Sequence, residues 1–426
     1  MNALVNLIAR HKQGHAVGVT SICCAHPIVI EASLRHALRH DDGMVLFEAT
    51  CNQVNQDGGY TGMTPVDFVS FVQGIARQVG FDASRIVLGG DHLGPNPWTH
   101  LPADAAMDKA EVMVAAYVTA GFRKIHLDCS MSCAGDATPL AEAEIVRRAV
   151  RLARAAEAAY AIVGGEPPVY VIGTEVPVPG GATEIIDGLA LTSPEAALAT
   201  IEAHRQAFIA ADLASAWGRV IASVVQPGVE FDHHNVIDYD TRDAQGLSRA
   251  ITSVPNMVYE AHSTDYQTRD ALRTLVKDHF AILKVGPGLT FAMREALWAL
   301  DAIDQELTPD HQQARLRDTV LERMRERPKY WQKYYHSVGK PLNVDLQYSL
   351  SDRVRYYWPD PVIEAARVRL FENLSANLPP ISLLSQHLPH ALHAVREGAA
   401  TREPLSLAVA QVSAVLDDYH HACNAH

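Results

Sequence analysis

The chain has 426 residues, 48% of them hydrophobic, and a formal net charge of −13 with no long basic run. It can build a large core, and its charge argues against a nucleic-acid partner. No apolar run reaches the length of a membrane span, so no membrane partner is expected either.

The opening stretch MNALVNLIARHKQGHAVG has an apolar stripe broken by Asn, Arg, His and Lys. It reads as a short amphipathic helix, not a signal peptide, and a cytoplasmic setting is expected. From residue 16 to about 290 one unit then recurs: an apolar run, a polar loop rich in Gly and Pro, and a helical pattern. The runs are AVGVTSICCAH, GMVLFEATCNQ, RIVLGGDHLGP, KIHLDCSMSC, VYVIGTEVPVPGG, VIASVVQPGVEF, MVYEAHSTDY and FAILKVGPGLTF. Several are short and β-branched without polar alternation, as parallel strands buried on both faces are. Helix starts stand between them: Thr64-Pro65-Val66-Asp67 offers a capping hydroxyl, a proline at the first helical position and an acid three residues on, and Ser193-Pro194-Glu195 begins in the same way. The 6 cysteines (23, 24, 51, 129, 133, 423) form no CxxC and are expected to be reduced thiols.

Alternating strands and helices imply right-handed βαβ units. Eight units predict an α/β fold of the (β/α)8 TIM-barrel type, with a doubly wound open sheet as the alternative. No GxGxxG follows the first run, and all eight runs end in functional side chains, which favours the barrel. Residues 1–307 are read as the barrel with its N-terminal helix. Residues 308–426, helical in pattern, are read as a C-terminal extension packed on it. Within the extension YSLSDRVRYYWPD, 348 to 360, is either a packed aromatic turn or an anion clamp carrying Arg353 or Arg355 to the barrel mouth.

The run ends carry His26, Glu48 with Asn52 and Gln53, Asp91-His92, Asp128, Glu175, Gln226, His262 and Lys284. In a barrel these converge. Desolvating so many acids and imidazoles together is costly unless a cation or substrate compensates. Imidazole nitrogen with carboxylate or amide oxygen suits a divalent metal. A phosphate site is expected after the eighth run, where Gly286 and Gly288 allow close backbone approach and a helix starts near Thr290; the preceding loop adds Ser263 and Thr264. Asn52 and Asp128 are expected to meet the substrate.

The motifs CNQVNQDGGYTGMTP, LGGDHLGPNPW, HLDCSMSC, GTEVPVPGG, QPGVEFDH, EAHSTDYQT, LKVGPGLTF and SDRVRYYWPD resemble the tagatose-bisphosphate aldolase non-catalytic subunit family, over about residues 5 to 424. That family is also described as tagatose-6-phosphate kinases, and some members as epimerases interconverting fructose 6-phosphate and tagatose 6-phosphate. The chain is more distantly similar to class II ketose-bisphosphate aldolases, which are zinc-dependent barrels. That likeness implies a proton-shuttling Asp91, metal ligands His92 and His262, a Glu175 followed by Gly180-Gly181, and phosphate contacts from Ser263 and the 286–290 turn. The aldolases place another metal histidine where this chain has Gln226-Pro227. Gln226, Glu175 or His233 would complete the shell, for zinc or for a harder ion such as Mg²⁺ or Mn²⁺.

The resemblance implies an isomerase of carbohydrate metabolism: metal-dependent epimerisation at C4 of a ketohexose 6-phosphate by retro-aldol/aldol chemistry. Asp91 and Glu175 would be catalytic, and His92, Glu175, Gln226 and His262 would bind metal. Asn52, Asp128, Ser263, Gly286, Gly288, Thr290 and Arg353 would bind substrate. The alternative is an accessory subunit stabilising a catalytic tagatose-bisphosphate aldolase chain. A kinase fits least, since the chain has no P-loop and no other ATP fingerprint. A homo-oligomer is also expected.

Overall fold

The computed structural model describes residues 2–173 and 189–424. Its strands are β1 (Val19–Ile22), β2 (Val45–Thr50), β3 (Ile86–Leu93), β4 (Lys124–Leu127), β5 (Val169–Ile172), β6 (Val220–Val224), β7 (Glu230–Phe231), β8 (Val236–Ile237), β9 (Val258–Ala261) and β10 (Phe280–Val285). Eight of them close a parallel barrel in the order β1-β10-β9-β6-β5-β4-β3-β2. This is the expected (β/α)8 architecture, and each of the eight runs supplies one barrel strand. The antiparallel β7–β8 hairpin inserted after β6 was not foreseen.

Helices form where the sequence places caps. Thr64 and Asp67 make a reciprocal capping box on helix Pro65–Val79, and the Ser193 hydroxyl accepts the Ala196 N–H at the start of helix Pro194–Ala210. His26 is a less usual cap: its Nδ1 accepts the Ile28 N–H at 3.2 Å ahead of helix Pro27–His40. Burial pushes this imidazole down to about 3, with Arg367 adding to the effect. A histidine held neutral in the fold and free to charge on unfolding stabilises fully above its unfolded value near 6.5. That contribution is lost as pH falls from there toward 3. We expect His26→Asn, which keeps a capping oxygen, to flatten the dependence of unfolding free energy on pH in this window. The change should be up to about 1.4 kcal/mol per pH unit. Parallel denaturation curves of the two proteins at each pH would show the expectation to be wrong.

Two kinds of side chain fill the barrel interior. One set is an apolar cluster built from Val19, Leu46, Val169, Val171, Ala222, Val224, Val258 and Ile282, and Leu4 and Ile8 of helix Ala3–Lys12 pack against it. The other set is charged. The expectation of strands apolar on both faces fails here, because side chains two apart share a face. Ile125 and Leu127 join the core cluster shared with the surrounding helices, whereas Lys124 and His126, fully buried, belong to the interior. That core cluster continues without a break into the C-terminal helices through Leu316, Leu346, Leu370 and Leu416. Helix Pro404–Cys423 packs on helices Pro27–His40, Arg269–Lys277 and Pro287–Leu307. All six cysteines are free thiols, and among the described residues no helix is long and apolar enough to cross a membrane.

Candidate active site

Asp91 and His92 are neighbours, and in a regular strand neighbouring side chains point to opposite faces. The structure resolves this by a bulge. The register of β3 against β4 shifts between Gly90 and Leu93, and His92 takes a left-handed φ of 48°. Both side chains consequently line one cavity at the barrel mouth, together with His262, Ser263 and Lys284. The glycines before them, Gly89 and Gly90, lie inside the strand and do not turn the chain. Gly89 has no room for a side chain: a Cβ there would stand 2.8 Å from Glu48 Cγ, so the missing side chain makes space for that carboxylate.

Beneath the cavity floor lies an ion network. Lys124 Nζ sits 2.6 Å from Glu48 Oε1 and 2.7 Å from Glu260 Oε2, all three side chains fully buried. Lys284 Nζ lies 3.0 Å from Glu48 Oε2 and 2.8 Å from Asp91 Oδ1. Burial opposes charge on Lys124, Lys284 and Glu260, but the attraction of their neighbours outweighs it. Glu260 and Glu48 hold the Lys124 ammonium above its usual range, and Lys124 and Lys284 hold Glu260 well below its own. Asp91 is likewise pushed up by burial, yet the positive charges of His92 and Lys284 hold it well below the ordinary carboxylate range. It is an ionised acceptor facing a cavity.

The imidazoles are set by carboxylates. His92 Nδ1 pairs with Asp128 Oδ2 at 2.7 Å and His262 Nε2 with Glu260 Oε1 at 3.0 Å, and the two rings meet edge-on with centroids 4.8 Å apart. Burial pulls His92 down, but Asp91 and Asp128 raise it on balance; burial takes His262 to about 4. Each ring therefore has one nitrogen oriented by a carboxylate, the outer support that holds imidazoles on metals. His126 Nδ1 receives the His92 backbone N–H at 3.2 Å and lies 3.0 Å from Asp91 Oδ1, and its Nε2 meets the Gly173 carbonyl at 3.1 Å. With the proton on Nε2, the Nδ1 lone pair and the Asp91 oxygen confront each other, and a cation relieves that contact. Ligand atoms of Asp91, His92, His126 and His262 all lie within 4.8 Å of one another. This buried cluster fits a divalent metal by its donor chemistry.

Of the other residues singled out from the sequence, Asn52 and Gly286 line the same cavity, and Asp128 acts on it by orienting His92. Gly288 and Thr290 do not line it. The N–H groups of Gly286 and Gly288 both donate to Asp265 Oδ1, at 2.9 and 2.7 Å, so the backbone donors expected to grip phosphate hold a carboxylate of the chain itself. Burial raises that carboxyl to about 6. Thr290 Oγ1 donates to Asp352 Oδ2. In the aromatic turn Arg353 stacks on Tyr334, and Arg355 lines the cavity instead, with Tyr356 beside it. Gln226 turns its amide oxygen to the N–H groups of Gly228 and Val229, and His233 Nδ1 and Nε2 meet Ser349 and the Tyr334 carbonyl. Glu175, with Gly180 and Gly181, lies outside the described residues.

Sequence reading missed Lys124, His126 and Glu260. Their signal was present as alternation: Lys124-Ile125-His126-Leu127-Asp128 and Glu260-Ala261-His262 put a polar residue at every second position.

A family model described as D-tagatose-1,6-bisphosphate aldolase subunit GatZ/KbaZ-like matches residues 4–424. Among solved structures, the chain is similar to a probable tagatose 6 phosphate kinase from Sinorhizobium meliloti 1021, at 52% identity over 95% of this chain and 100% of that one, with a TM-score of 0.88. It also matches the fructuronate-tagaturonate epimerase UxaE from Cohnella laeviribosi at 12% identity, covering 95% of this chain and 81% of that one, TM-score 0.48. The YdjI aldolase from Escherichia coli K12 matches at 11% identity, covering 87% and 95%, TM-score 0.41. Likenesses this remote carry no weight for the chemistry.

Proposed function

Because the chain belongs to the GatZ/KbaZ-like family, related to tagatose-bisphosphate aldolase, we propose that it epimerises a ketohexose 6-phosphate at C4, interconverting fructose 6-phosphate and tagatose 6-phosphate. The observation that carries the reading is Asp91: an ionised carboxylate at the floor of a cavity, beside two imidazoles held ready for a cation.

In this reaction Asp91 accepts the C4 hydroxyl proton as the C3–C4 bond breaks, leaving an aldehyde fragment and an enediolate. The aldehyde turns over, C3 attacks its other face, and Asp91 returns the proton to the new C4 oxygen. An acceptor whose proton affinity is kept low by the Lys284 ammonium gives the proton back readily, which a shuttle between two half-reactions needs. His92 and His262, with His126 and Asp91 beside them, would hold the divalent cation. That cation, when bound, supplies Lewis-acid stabilisation of negative charge developing on the ketose oxygens. The Arg355 guanidinium on the cavity wall suits the substrate phosphate; the sequence reading offered Arg353 or Arg355 as an anion clamp and placed Arg353 on the substrate.

The test is to incubate the purified chain alone with fructose 6-phosphate, with and without Zn²⁺, Mn²⁺ or Mg²⁺, and assay tagatose 6-phosphate. Metal-dependent formation is expected, and chelator should abolish it. A chain inactive with every metal, yet able to raise the stability or activity of a tagatose-bisphosphate aldolase added to it, would fit the accessory role that the family description suggests.

A further inference from the structure

A second cluster of imidazoles and carboxylates lies outside the barrel, between the first helix after β1 and the last helix of the described chain. His36 and His40 are one turn apart near the end of helix Pro27–His40, and Asp417 and His420 are one turn apart on helix Pro404–Cys423. Left-handed Asp41, at φ 52°, folds the chain back so that the Asp42 N–H bonds the Ala37 carbonyl and the Asp42 carboxylate joins the group.

The distances are short. Asp417 Oδ1 lies 2.9 Å from His36 Nε2 and 3.4 Å from His40 Nε2, and Asp42 Oδ1 lies 3.1 Å from His420 Nδ1. The rings of His36 and His40 are 4.4 Å apart between centroids, and those of His40 and His420 are 4.2 Å apart. Two triads have all their ligand atoms within 4.8 Å: His36 with Asp42 and His420, and His36 with His40 and Asp417. His36, shared by both, is 5% exposed and fixed in place, while the side chains of His40, Asp417 and His420 are 31%, 40% and 23% exposed. The outer groups can rotate inward by the ångström or so that bonds of about 2.0–2.2 Å require. A cavity lined by His36, Asp42 and His420 adjoins the cluster and gives an ion a way in.

We propose that these five residues form a second divalent-metal site that clamps the C-terminal helix to the barrel. Three imidazoles with two carboxylates are a borderline nitrogen-and-oxygen donor set, suited to Zn²⁺ and poorly suited to Mg²⁺ or Ca²⁺. The clamp has a route to the mouth. Tyr419, beside His420, donates its hydroxyl to the Thr264 carbonyl at 2.9 Å, in the loop that carries His262 and Ser263. Holding the helix therefore holds that loop.

The test uses the full chain, stripped by chelator and titrated with Co²⁺ alone, following visible absorption and bound metal per chain by elemental analysis. His40→Ala/His420→Ala should bind one Co²⁺ fewer than the parent, and Asp417→Asn should weaken the same site at least tenfold. In a His92→Ala/His262→Ala background, which disables the mouth cluster, one Co²⁺ should remain, raise the thermal midpoint, and vanish when His40→Ala/His420→Ala is added. Equal stoichiometry in the parent and His40→Ala/His420→Ala, both folded by near-ultraviolet circular dichroism, overturns the proposal. So does a folded mouth-disabled background that takes up no Co²⁺. Because the comparison of parent with His40→Ala/His420→Ala needs no active mouth, it decides the matter whatever reaction the barrel performs.

Discussion

Asp91→Asn should fold, bind a ketohexose 6-phosphate and epimerise it roughly 10²–10⁴-fold more slowly than the parent, the usual contribution of a general acid–base group. The change keeps the shape of the side chain and removes its capacity to take a proton. The fold should survive because Lys284 retains Glu48 at 3.0 Å when the carboxylate of Asp91 is gone. Turnover and substrate affinity must be measured separately, since the loss is expected in kcat with KM little changed. Wild-type-like epimerisation by the variant would rule out this shuttle. An accessory subunit would behave differently again, with no turnover to lose and undiminished support of a partner aldolase.

Lys124→Met should produce the largest loss of stability, about 3–5 kcal/mol, the range seen when one partner of a buried ion pair is removed. Lys124 is fully buried between Glu48 and Glu260, and methionine fills nearly the same volume without the charge. Lys284 alone would then face three carboxylates: Glu48, Asp91 and, at 3.7 Å, Glu260. The midpoint of chemical denaturation should fall accordingly. Adding Glu260→Gln to Lys124→Met should recover part of the loss, because the two residues are in contact and their effects do not add. A single variant that unfolds at the parent's midpoint would mean that the network contributes nothing net to stability.

The pattern of eight apolar runs separated by turn residues and capped helices was enough to read a closed parallel barrel from the chain. Local chemistry decides those features: Thr64 and Asp67 cap their own helix whatever lies beyond it. The clustering of Asp91, His92, His262 and Lys284 at strand ends was legible for a related reason, since a parallel barrel sends every strand's C-terminal end to one face.

What only the tertiary structure decided is which of these groups touch, and through which atoms. Lys124 and Glu260 read as ordinary strand residues until closure turns them inward, where neither can reach water and each needs the other. The pairing of Asp91 with Lys284 joins β3 to β10, 193 residues apart by position (284 − 91), and rests on barrel register. The bulge at His92 shows no simple sequence signature, yet it brings two adjacent side chains to one face. The Gly286–Gly288 turn was visible as a set of backbone donors, but Asp265, brought alongside by the fold, takes both of them. Arg355 rather than Arg353 reaches the cavity because the short 3-10 turn of 353–356 sets which guanidinium lies on a tyrosine ring and which lines the mouth. Residue type and spacing state which chemistry is affordable at a strand end; the direction of each side chain depends on backbone angles that contacts from distant strands and helices impose.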